Sequence, residues 1–116
     1  MKALVIVNDP PYGTERAFNA FRLAGSLAKR DGVEVRVFLM GDAAACAKAG
    51  QAVPHGYYNL ERMLKAVRGR GGEIGVCGTC MDARGLRDED LTECARRSTL
   101  DELTDWVLWA DRVTVF

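Results

Sequence analysis

Residues 2–11 read KALVIVNDPP. Lys2–Val7 is almost continuously apolar, and Asn8-Asp9-Pro10-Pro11 stops it. An apolar run this short, without polar alternation, reads as a strand buried on both faces, and the breakers after it read as a loop. Helical patterns that would cover such a strand lie further along. Ala17, Phe18, Ala20, Phe21, Ala24, Leu27 and Ala28 fall on one helical stripe, with Thr14 as the expected N-cap. VEVRVFLM at 33–40 begins as alternation, becomes continuous and ends at Gly41-Asp42, which predicts a second strand. Leu60, Met63, Leu64 and Val67 mark another helix, capped by Asn59, and residues 74–77 form a third strand after Gly71-Gly72. Leu100, Leu103, Val107 and Ala110 mark a further helix, where Thr99-Leu-Asp-Glu102 fits a capping box. RVTVF at 112–116 reads as a fourth strand, and shorter helices are expected at 43–49 and 88–96.

Strand alternating with helix predicts a single α/β domain with a mainly parallel sheet. No linker, repeat or low-complexity segment interrupts it. In such sheets ligands gather at the carboxyl ends of the strands, above all where the strand order reverses. Asn8 and Asp9, Gly41 and Asp42, and Cys77 all fall at predicted strand tips.

The chain has 116 residues, 48% of them hydrophobic, enough for one well-filled core. Its 16 Lys and Arg balance 16 Asp and Glu, which argues against a direct nucleic-acid surface. No apolar stretch reaches the roughly 18–20 residues of a membrane span. The first residues carry neither an apolar region long enough for a signal peptide nor a cleavage site, so a cytoplasmic location is expected. Thiols there stay reduced, and four cysteines do not imply a disulfide scaffold.

GVCGTCMDARG, residues 75–85, holds two of those cysteines two residues apart. A structural zinc site wants about four ligands, often as paired motifs, and only one Cys-x-x-Cys is present. A redox couple normally opens a helix, whose N-terminus lowers the thiol pKa; here the pair follows a strand directly. A persulfide carrier needs one accessible thiolate and room for a partner's thiol. Inert burial is the fourth reading, weakened by Gly75, Gly78 and Gly85 around the pair.

Two segments give the chain a family resemblance: IVNDPPYGTERAFNAFRLAGSLA at 6–28 and GVCGTCMDARGLRDEDL at 75–91. With the last helix and DRVTVF, it resembles the DsrE/DsrF-like family, which includes TusD-like subunits of a tRNA-thiolation sulfur relay. The resemblance implies a three-layer α/β/α fold around a mainly parallel sheet. It also implies trimers or hexamers, either of one chain or of related subunits. In relay members a cysteine after a strand carries persulfide sulfur, taken from and passed to protein thiols without a cofactor. Its position relative to Arg84-Gly85 matches Cys77. Tyr12 matches the family's first loop. TusD-like chains carry one cysteine here, so Cys80 is a departure that points to a resolving or modulating thiol, or to a structural role.

Other residues are weighed against plainer roles. Asn8 and Tyr12 are placed at the pocket, with helix capping the default for Tyr12-Gly13-Thr14. His55, the only histidine, lies in a Pro-His-Gly loop and would favour a thiolate if it came near Cys77. Arg84 is expected in an ion pair or beside the thiolate. Cys46 and Cys94 read as packing, Cys94 on the apolar side of the 88–96 helix.

Overall fold

The computed structural model describes residues 1–116. Five strands form one sheet: β1 (Lys2–Val7), β2 (Glu34–Leu39), β3 (Glu73–Cys77), β4 (Arg96–Ser98) and β5 (Arg112–Val115). Their order is β4-β3-β2-β1-β5, and every neighbouring pair is parallel. Four helices accompany them: α1 (Arg16–Ala28), α2 (Leu60–Gly69), α3 (Gly78–Asp82) and α4 (Leu100–Trp109).

The period-two alternation of the central strands sorts their side chains into two unequal cores. Val5 and Val7, Val35, Val37 and Leu39, and Ile74 and Val76 face α1 and α2, where Phe21, Ala24, Leu60, Leu64 and Val67 close a cluster of 20 buried residues. Leu4, Ile6 and Phe38 face the other way and meet Leu103 and Trp106 of α4 in a cluster of only five. Each fully buried large apolar side chain contributes roughly 1.5–3 kcal/mol. Most of the apolar stabilisation therefore lies on the α1–α2 side. This is the three-layer α/β/α arrangement, with one outer layer made by a single helix.

Several local expectations change. The predicted helix at 88–96 is a single 3-10 turn at Asp88–Asp90, followed by a lone bridge at Leu91, a turn at Glu93-Cys94 and then β4. The backbone there keeps only isolated turn bonds of its own and pairs with the 47–49 segment: Ala49 N–H donates to Asp90 C=O and Thr92 N–H to Ala47 C=O, both at 2.8 Å. Cys94 is consequently half-buried in a turn against the larger core. The 43–49 helix is a 3-10 segment, Gly41–Ala47, with Cys46 fully buried. Helix α1 starts at Arg16 with Glu15 as its N-cap; the Thr14 hydroxyl accepts from Arg16 N–H at 3.3 Å and donates to Asp9 at 2.6 Å. Asn59 caps α2 as expected, accepting from Arg62 N–H at 3.0 Å.

Helix α4 buries Leu103 and Trp106, while Leu100 and Val107 of the expected stripe are exposed. Trp106 takes the inner position because its ring meets Phe38 edge-on, with centroids 5.9 Å apart. Gly75 makes this close approach possible, since a Cβ there would lie 3.2 Å from both rings. Thr99 caps Glu102 N–H at 3.1 Å, but the Glu102 carboxylate accepts from Arg96 and Ser98, so only half of the capping box forms.

Candidate functional site

Chain topology opens the site. The chain leaves β3 through α3, whose Met81 packs into the larger core, and leaves β4 through α4, whose Leu103 packs into the smaller one. Neighbouring parallel strands that send their chains to opposite faces leave a crevice at their carboxyl tips. Cys77 and Ser98 are register partners at those two tips. A cavity of about 580 Å³ lies there, with Cys77, Gly78, Thr79 and Cys80 on one side and Ser98, Thr99, Leu100 and Leu103 on the other. Phe38 and Met40 form its apolar floor. Cys77 shares the face of Gly75, two residues earlier, and packs against the smaller core.

Gly78 lets the crevice walls approach. A Cβ there would sit 3.0 Å from Ser98 C=O and from the Arg97 guanidinium. Arg97 pins the same place, donating to Gly78 C=O and Asp82 at 3.1 Å and to Asp88 at 2.6 Å. Its charge is thus already paired, and the cavity presents little net charge to an incoming molecule.

Cys77 is the N-cap of α3. Its Sγ accepts from Cys80 N–H at 3.3 Å and lies 3.3 Å from Thr79 Oγ1. Partial burial raises its pKa, but hydrogen bonds from the Cys80 thiol, the Thr79 hydroxyl and the N–H groups of both residues outweigh this, and the thiol lies below its ordinary value. Cys80 lies above its ordinary value: burial is the largest cause, the hydrogen bond it gives Cys77 the next, with Gly41 N–H and Arg84 pulling back. The two environments drive the two thiols apart, so Cys77 ionises first. Cys46 is pushed up to about 12 by burial and the nearby Asp9 and is inert at neutral pH.

The sequence placed Tyr12, Asn8, His55 and Arg84 around this thiol; the structure brings only Arg84 close. Arg84 donates to Cys80 C=O at 3.0 Å and to Asp42 at 2.8 and 3.0 Å, holding Cys80 from behind the cavity. The Tyr12 hydroxyl donates to Gln51 and accepts from Leu60 N–H at 3.1 Å, and its ring stacks on Tyr58. It fastens the 48–59 loop to the start of α2, and neither it nor exposed His55 lines the cavity. Asn8 donates to Phe116 C=O at 3.1 Å, at the β1–β5 end of the sheet. Sequence reading missed Thr79, which its place between the cysteines could have flagged, and Arg97, Ser98 and Leu100, which depended on recognising β4. No three His, Cys, Asp or Glu side chains converge, so the cysteine pair has no third metal ligand of these types.

The profile of the DsrE/DsrF-like family matches residues 1–116. The chain belongs to that family. It is 36% identical to protein YchN of Escherichia coli (strain K12) over 116 residues, covering 99% of this chain and 98% of YchN. It is 40% identical to an uncharacterized protein of Methanocaldococcus jannaschii, over the whole of both chains. The crystal structure of the E. coli YchN protein superposes with a TM-score of 0.91 at 38% identity, covering all of both chains. A protein of unknown function from Methanobacterium thermoautotrophicum shares the fold at a TM-score of 0.75 and 13% identity, covering 99% of this chain and 97% of that one.

Proposed function

We propose that this family member is a sulfur carrier, holding persulfide sulfur on Cys77 and passing it to the thiol of a partner protein. The observation that carries the reading is Cys77 itself: a thiol set below its ordinary pKa at the edge of a cavity about 580 Å³ in size. The thiolate attacks the terminal sulfur of a donor persulfide, the donor thiol leaves, and Cys77 is left as Cys–S–SH. An acceptor thiolate then takes the outer sulfur and returns Cys77 to its thiolate. Walls with little free charge favour a donor presented on an apolar or neutral segment over a small multivalent anion.

Transfer tests this directly. Protein loaded with sulfur, desalted and mixed with a cysteine-bearing acceptor peptide should hand over its labelled sulfur, and the Cys77→Ser protein should hand over none. Equal transfer by both proteins sinks the reading.

A second reading is an oligomeric scaffold whose thiols do no chemistry. It draws on apolar side chains left bare on α4 and the edge strand β5: Leu100, Val107, Leu108, Val113 and Val115. Oligomeric state and thiol accessibility separate the two. A trimer or hexamer in which Cys77 resists alkylation favours the scaffold; rapid alkylation in the same assembly favours the carrier.

A further inference from the structure

Cys80 has no part in the carrier cycle, since loading and unloading need one sulfur. Yet it borders the same cavity as Cys77 and gives that thiol its N–H as a hydrogen bond at 3.3 Å. Residues three apart on a helical turn have Cβ atoms roughly 5–6 Å apart. A disulfide needs Cβ atoms roughly 3.5–4.5 Å apart, so closing the pair draws the ends of this single turn together by about 1–2 Å. Arg84 fixes the Cys80 backbone from behind, at 3.0 Å, and its charge favours the Cys80 thiolate.

We propose that Cys80 resolves the persulfide on Cys77 within the same chain, releasing hydrosulfide when no acceptor thiol is present. The inference rests on the carrier reading above and gives the same site a second outcome. Cys80 gives its proton to water and its thiolate attacks Cys77 Sγ. The new Sγ–Sγ bond forms as the bond between Cys77 and the outer sulfur breaks, and that sulfur leaves with the electron pair as HS⁻. The outer sulfur is reduced, and the two cysteines become a disulfide. Reset requires two electrons from an external dithiol, which is itself oxidised to a disulfide. Because burial holds Cys80 largely protonated at neutral pH, resolution is slower than loading and accelerates as pH rises. An acceptor arriving promptly therefore captures the sulfur first.

Reduced protein is loaded with a small alkyl persulfide in the cold, desalted and warmed without acceptor, with hydrosulfide and intact mass followed together. Wild type should release about one hydrosulfide per chain and end about 2 Da lighter than its reduced form. Cys80→Ser should keep its added sulfur of about 32 Da and release hydrosulfide at least about tenfold more slowly. Cys80→Ala, with circular dichroism on both variants, guards against a folding defect. The wild-type rate should not change with protein concentration. If loaded wild type and Cys80→Ser release hydrosulfide equally, or if the rate scales with concentration, intramolecular resolution is overturned while the carrier stands. If Cys80→Ser takes up no sulfur, the carrier reading falls and this proposal falls with it.

Discussion

The two faces of the sheet are built to different ends. On one, α1 and α2 close over valines and leucines into a 20-residue core. On the other, one helix completes a core of only five buried residues, two of them its own, and beyond Phe38 and Leu103 the packing gives way to the cavity beside Cys77. A strand alternates its side chains between faces, so β3 serves both at once: Ile74 and Val76 hold the closed side, while Gly75 and Cys77 serve the open one. Moving the reactive sulfur by one residue would bury it among α2 and Met81. The difference teaches that reactivity here depends on which face is left incomplete.

The sharpest way to break the comparison is at the sulfur. Cys77→Ser should lower sulfur transfer to background, while Cys46→Ser, on the closed side, should leave loading near wild type even where it costs stability. Transfer of labelled sulfur by the two proteins checks both.

Next comes packing. Leu64→Ala should cost about 2–5 kcal/mol, because its site is fully enclosed. Leu103→Ala should fall at the low end, about 2 kcal/mol, because Leu103 already borders open space. Urea denaturation measures the pair, and equal costs would contradict unequal faces. Gly78→Ala should cost about 1–3 kcal/mol by driving Ser98 C=O away from a new Cβ. The same change should alter the alkylation rate of Cys77, because it pushes the crevice walls apart.

Acidity provides a subtler probe. The midpoint of Cys77 alkylation against pH should lie below that of an ordinary thiol, and Thr79→Val should move it up. A midpoint at or above the ordinary value would contradict the hydrogen-bond account. The smallest effect concerns Glu102, held below the usual carboxylate range chiefly by Arg96, with burial opposing and Ser98 assisting. Its folded value lies below its unfolded one, so its stabilisation is complete above about pH 4.3 and is lost as pH falls through the folded value. Glu102→Gln should flatten that part of the stability profile and cost about 1 kcal/mol or less at neutral pH.

Much of the architecture was legible because it rests on periodicity. The unbroken KALVIV run and the stripe around Phe21 and Ala24 could hardly be read otherwise. Strand β4 was not legible: Arg-Arg-Ser carries no apolar pattern, and it becomes a strand because Gly75, Val76 and Cys77 offer it a ladder. That one omission concealed Ser98, Arg97 and the topological switch, and so the cavity. Cys77 and Cys80 were visible as a spacing motif, and Thr79 sat unnoticed between them. Tyr12 drew attention by its loop, but its partners Gln51 and Leu60 are distant in sequence, and no local rule announces such a clamp.

The most direct test is the intact mass of reduced Cys80→Ser protein after exposure to a persulfide donor, beside the Cys77→Ser/Cys80→Ser double variant. The account predicts a gain of about 32 Da per chain in the first and none in the second. An equal gain in both, or no gain in either, would contradict it.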